Sequence, residues 1–116
     1  VSDEVSWLSV PDFADAWGVS ASDVRDALRT GALVAVRRGE NDAWHLPAGF
    51  LEEHEGQVRV LPTLVGTLTL LRDNGFSDEE IVAWLLEFHE ELGASPLGAL
   101  REGRRAPVRR VAQTLL

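Results

Sequence analysis

The stretch Ser9-Val10-Pro11-Asp12-Phe13-Ala14-Asp15-Ala16-Trp17-Gly18-Val19-Ser20-Ala21-Ser22-Asp23-Val24-Arg25-Asp26-Ala27-Leu28-Arg29 decides the reading of this 116-residue chain. Val10, Phe13, Ala14 and Trp17 recur at i, i+3, i+4 and i+7, which lays one apolar stripe along a helix, and Ser9 stands at its N-cap. Gly18-Val19-Ser20 breaks the pattern, and Ser20 with Asp23 has the spacing of a capping box, Asp replacing the usual Glu or Gln. A second helix follows with Ala21, Val24, Ala27 and Leu28 inward and Gly31 placed to stop it. A helix-turn-helix needs a small residue where the helices cross and a residue tolerant of unusual φ at the turn; Ala14 and Gly18 supply both. Two packed helices of an ordinary core satisfy the same spacing, so this pair alone assigns no function.

Working outward, Leu33-Val34-Ala35-Val36 reads as a strand, Gly39 to Asp42 as a turn, and Ala43 to Leu46 as a returning strand ended by Pro47. A hairpin directly after the second helix is the wing of a winged helix-turn-helix, and it favours DNA binding. Ala48 to Gly56 turns acidic, and Gln57 to Leu61 adds a short third strand. The remainder is helical: one segment from Pro62 as an N1 proline through Leu64, Leu68 and Leu71 to Asn74-Gly75. Another is capped by Ser77 and Glu80, with Ile81, Trp84, Leu85 and Phe88 inward. A short helix runs from Ser95-Pro96 to Leu100, and a last one opens at Pro107 with Val108, Val111, Ala112 and Leu115 inward. The expected architecture is mainly α with a small β-hairpin wing: a winged helix-turn-helix over residues 1–60 and a C-terminal helical domain over 61–116, suited to dimerisation or partner binding.

Composition narrows the function. The chain has no cysteine, which removes disulfides, thiolate metal sites and thiol catalysis and fits a reducing compartment. No stretch approaches the run of about 20 apolar residues that a membrane span requires, and Val1 to Trp7 lacks the features of a signal peptide. A cytoplasmic location is therefore expected, with no membrane partner. The chain starts at Val1 rather than Met, so residues upstream are outside what the sequence reveals. His45, His54 and His89 fall in separate elements without metal-ligand spacing, and neither a Gly-rich phosphate loop nor a nucleophile elbow is present. No enzyme, no metal and no cofactor is expected.

With Val24 and Leu28 turned inward, the rotation of the helix places Ser22, Arg25, Asp26 and Arg29 on its opposite side, with Ser20 at the start. This face is expected in the major groove, Arg25 and Arg29 reaching guanine or phosphate and Ser22 a phosphate or base edge. Asp26 either accepts from cytosine or restrains Arg29. Arg37 and Arg38 adjoin on the first wing strand, so their side chains point to opposite faces and at least one projects to grip phosphate. A second basic cluster, Arg101, Arg104, Arg105, Arg109 and Arg110, is either a further phosphate contact, a partner-binding face or a solvated helix surface. The net charge of −8 opposes all this. The acids cluster at Asp3-Glu4, Glu52 to Glu55, Asp78 to Glu80 and Glu90-Glu91, expected to lie away from the DNA face, and the local field outweighs the total.

Leu8 to Ala14, Trp17-Gly18-Val19-Ser20 and Gly31 to Arg38 together resemble the excisionase and MerR-like winged helix-turn-helix proteins. Leu33 to Arg38, Gly56-Gln57-Val58, Leu61-Pro62 and Gly75 to Leu85 look like an actinobacterial family of small DNA-binding proteins, known in mycobacteria as substrates of a Ser/Thr protein kinase. That resemblance implies a winged helix-turn-helix followed by a helical C-terminal region. It carries over no kinase-targeted threonine, because no threonine precedes Thr30. Leu68 to Leu115, with Ser95 to Gly103, also resembles the C-terminal domain of Xre/MbcA/ParS-type antitoxins. The leading expectation is a transcriptional regulator on double-stranded DNA; the alternative is an interaction or antitoxin-like module, homodimeric or bound to another protein, with weak or no DNA binding.

Overall fold

Three short strands and two packed helices make residues 7–47 of the computed structural model, which describes residues 5–115. Strand β1 (Trp7–Ser9) leads without a break into helix α1 (Val10–Trp17), and Ser9 caps that helix by accepting from the Asp12 amide. Gly18 ends α1 at φ 84°, a conformation that costs a residue with a Cβ, and the Ala14 carbonyl accepts from both the Gly18 and Val19 amides. Ser20 and Asp23 then close a reciprocal capping box at the start of α2 (Ala21–Thr30). Phe13, Ala14 and Val24 are buried between the two helices, as the apolar spacing requires.

The wing consists of β2 (Val36–Arg38) and β3 (Ala43–Pro47), and β3 also pairs with β1, giving the antiparallel order β1-β3-β2. Pairing begins later than the apolar run suggests. Leu33, Val34 and Ala35 are buried but lie outside the strand: the Leu33 amide still bonds the Ala27 carbonyl of α2, and the Leu33 carbonyl is taken by Arg72. An apolar run reports burial, not ladder pairing. After a 3₁₀ turn at Ala48–Phe50, part of the acidic segment forms a second hairpin, β4 (Leu51–His54) with β5 (Gln57–Val60). Glu55 and Gly56 sit at φ 54° and 82°, the primed turn that joins two strands in two residues.

Four helices complete the chain: α3 (Leu64–Asp73), α4 (Asp78–Leu86), α5 (Pro96–Arg101) and α6 (Arg105–Gln113). Three of their boundaries differ from those the sequence suggests. Pro62 is not the first helical residue; it lies in a turn closed by the Leu64 amide on the Leu61 carbonyl, and α3 begins at Leu64. Pro107 sits inside the first turn of α6, where a missing N–H leaves no intrahelical bond unmade. Phe88 is not inward. Glu87 is extended, which ends the rotation of α4, so Phe88 is 63% exposed while Leu92 fills the core. Leu115 is likewise exposed, beyond the end of α6.

One continuous cluster of buried residues runs from Val10 on α1 through Phe50 and Leu51 to Val108 and Ala112 on α6. Two guanidinium groups tie the second half of the chain to backbone of the first. Arg72 on α3 donates to the Gly31 and Leu33 carbonyls at 2.6 and 3.2 Å. Arg101 on α5 donates to Gly49 and Leu51. Charge-assisted bonds of this kind are about twice as strong as neutral ones, so the C-terminal helices hold the segment between α2 and the wing, and the turn leading to β4, in place.

Candidate nucleic-acid interface

Helix α2 presents Ser22, Arg25, Asp26 and Arg29 to solvent because Val24 is fully buried beneath it. Ser20 is engaged as the cap, its hydroxyl accepting from the Asp23 amide at 3.1 Å. Asp26 and Arg29 form an ion pair at 3.4 Å with side chains 64% and 73% exposed, which restrains Arg29 weakly and leaves it accessible. Arg25 makes no ion pair with any described residue.

The antiparallel register sets Arg37 directly opposite Trp44. The Arg37 guanidinium lies 4.7 Å from the Trp44 ring centroid and 3.5 Å from the exposed Asp42 carboxylate at the turn. Arg38, on the other face of the strand, stacks 4.1 Å from the ring centroid of Trp7 on β1. Its alkyl stem and charge are thus held against an aromatic surface on the side of the wing that faces α4. A single concavity joins α2 to the wing: Arg25, Leu28 and Arg29 form one side, Trp44 the other, and Leu33, Val34 and Ala35 the floor. Arg25, Arg29 and Trp44 therefore line one concavity; Arg37 adjoins it only through its stack on Trp44, and with Arg38 it lines a second concavity against α4. Asp78, one of the acids expected to lie elsewhere, also borders this concavity, 3.8 Å from Arg72. Its place follows from α4 starting beside the end of α2, a tertiary juxtaposition that charge counting along the chain does not reveal.

The C-terminal basic cluster splits. Arg101 is bonded to the Gly49 and Leu51 carbonyls, and Arg104 to the Leu92 carbonyl at 2.8 Å and to Glu102 at 3.4 Å. Arg105, Arg109 and Arg110 are exposed on α6 and make no ion pair with a described residue. Of the histidines, His45 bonds the Ala43 carbonyl through Nδ1, His54 lies 3.7 Å from Glu55, and His89 packs against Trp84. Among the described residues no three acidic or histidine side chains gather as a metal site. No described helix is long and apolar enough to cross a membrane.

Two known families match parts of the chain. Residues 1–51 match the family described as "DNA-binding protein Rv2175c, wHTH domain", and residues 61–115 that described as "Rv2175c C-terminal domain of unknown function". The NMR structure of Rv2175c superposes with a TM-score of 0.78 at 34% identity, over 99% of this chain and 84% of that one. This chain belongs to the Rv2175c family. A curated relative, the "DNA-binding protein Rv2175c" of Mycobacterium tuberculosis, is 41% identical over 76 residues, 66% of this chain and 49% of that protein, so the match spans about half its length.

Two features of this Rv2175c-type fold are not apparent from the sequence. The placing of Trp44 against α2 depends on the tertiary fold, although its cross-strand partner Arg37 follows from the turn at Gly39 to Asp42. Arg72 left no local signal: its role depends on carbonyls 39 and 41 residues away.

Proposed function

We propose that this protein is a cytoplasmic, non-enzymatic regulator of transcription that binds double-stranded DNA, with α2 in the major groove and the wing on the backbone. The observation carrying this reading is that Arg25, Arg29 and Trp44 line one concavity, with Arg37 stacked on the Trp44 indole. The family named for a DNA-binding protein and the winged helix-turn-helix match support it. In this reading Arg25 and Arg29 contact guanine or phosphate, Ser22 contacts a phosphate, Asp26 orients Arg29, and Arg37 grips the backbone. Ser20 acts as the cap that sets the start of the helix. Arg38, stacked on Trp7 at the opposite face, serves the packing of the wing.

Residues 1–60 are the DNA-reading unit in this proposal, and 61–116 the brace that orients it. Arg105, Arg109 and Arg110 are what remains of the C-terminal cluster for a second phosphate contact or for a partner, including a second copy. The acidic balance of −8 favours weak, salt-sensitive binding. The test is an anisotropy titration of random-sequence duplex at two salt concentrations. Binding is expected with log K falling as log salt rises, and Arg25→Ala with Arg29→Ala is expected to shallow that slope by about 2, one for each phosphate that is no longer neutralised. Salt-insensitive self-association with no duplex binding at low salt would instead favour an interaction module.

A further inference from the structure

The concavity between α2 and the wing holds more than cations. Leu28, Val34 and Ala35 line it with apolar surface, Arg25 and Arg29 stand at its edge, and the indole of Trp44 walls the far side around a volume of about 440 Å³. Trp44 is 44% exposed, although Leu46, two residues on and on the same face of β3, is fully covered. Arg37 covers the indole at 4.7 Å yet does not line the concavity, so the ring is held from outside and stays open toward Arg25 and Arg29. The one carboxylate at the edge, Asp78, has Arg72 3.8 Å away to offset its charge.

Phosphate binding by itself does not use an indole, since guanidinium groups meet that chemistry unaided. A flat apolar ring beside cations matches a nucleobase joined to its own phosphates. In an intact duplex the faces of the bases are hidden by stacking, so an indole reaches one only where a base has left the stack. We infer that Trp44 and the adjoining groove form a seat for one unstacked nucleobase, and that the protein therefore holds duplex carrying an unpaired base more tightly than perfect duplex. The inference rests on the DNA-binding function proposed above and adds to it a substrate class, distorted or locally opened DNA.

The test is a pair of labelled duplexes identical except for a single bulged thymine, titrated with the full chain. The wild type is expected to bind the bulged duplex about 10-fold more tightly, within the range that aromatic stacking on a base supplies. This preference persists as salt is raised, because stacking releases no counterions. Trp44→Ala erases the preference, read as the ratio of its affinities for the two duplexes, whereas Trp44→Phe keeps most of it and guards against a folding defect. Equal binding of the two duplexes by the wild type overturns the inference, as does a preference that survives in Trp44→Ala, which would come from the flexibility of the bulge. Failure of the wild type to bind any duplex removes the DNA-binding function itself, a distinct result.

Discussion

Apart from the exposed Arg105, Arg109 and Arg110 of α6, arginines in the two halves of this molecule have opposite fates. On α2 and the wing, Arg25, Arg29 and Arg37 reach solvent, bound at most by an exposed carboxylate or an aromatic ring. In the helical half, Arg72, Arg101 and Arg104 are engaged by backbone carbonyls. All belong to runs that look alike in one dimension, a basic residue near apolar positions on an amphipathic helix or strand. The difference shows that a basic cluster is a binding surface only where the fold leaves its guanidinium groups without internal acceptors. A helix C-terminus or an irregular connection offers such acceptors. Arg72 meets them just after α2, and Arg101 around the 3₁₀ turn before β4.

The sharpest way to break this contrast is Arg72→Ala, which orphans the Gly31 and Leu33 carbonyls and frees Asp78 of its partner. A drop of about 3 kcal/mol in denaturant-measured stability is expected, as for two partly shielded charge-assisted bonds. A change below about 0.5 kcal/mol, typical of an ordinary surface site, would show that the brace is ornamental. The reverse comparison pits Arg25→Ala with Arg29→Ala against Arg105→Gln with Arg109→Gln and Arg110→Gln. The α2 pair is expected to cost about 30-fold in duplex affinity at low salt with stability almost unchanged, the α6 triple only about 3-fold. An α6 effect equal to or greater than that of α2 would move the interface to the C-terminal helices.

Arg101→Ala is a smaller test of the brace. Its side chain is more exposed than that of Arg72, so stability should fall by about 1–2 kcal/mol while duplex affinity measured well below the melting temperature stays within about 2-fold, since the residue touches no part of the proposed DNA face. Smallest is the pH dependence of the α4 cap. The Ser77 amide, and then its hydroxyl interaction, hold the Glu80 carboxyl below the ordinary glutamate range. A carboxylate depressed in the folded state contributes stability above its unfolded value, and that contribution is lost as pH falls through the folded value. Glu80→Gln should therefore be less stable than wild type at neutral pH, with the gap closing in acid urea titrations below pH of about 4. A gap that is constant with pH would contradict the charged cap.

Local signals served the helix-turn-helix well. Ser9, Gly18, Ser20, Asp23 and Gly31 act through bonds spanning three to five residues, so their roles are written in adjacent letters. The capping pair Ser77 and Glu80 is legible for the same reason. Signals weakened where a short apolar run had to be assigned to strand or connector, as at Leu33 to Ala35, and where a stripe continued past the end of its helix, as at Phe88. The hairpin at Glu55-Gly56 carried a turn signature, but the acidic composition around it masked the alternation.

Sequence alone determined that two capped helices with an apolar seam are followed by a wing and a helical remainder, because capping, periodicity and turn chemistry are short-range. Only the tertiary structure decided which arginines face outward, that Arg37 rests on Trp44 while Arg38 turns to Trp7, and that Arg72 reaches back to the end of α2. Those outcomes depend on which acceptor or ring the fold brings within a few ångströms of each guanidinium, and that proximity joins residues far apart in the chain.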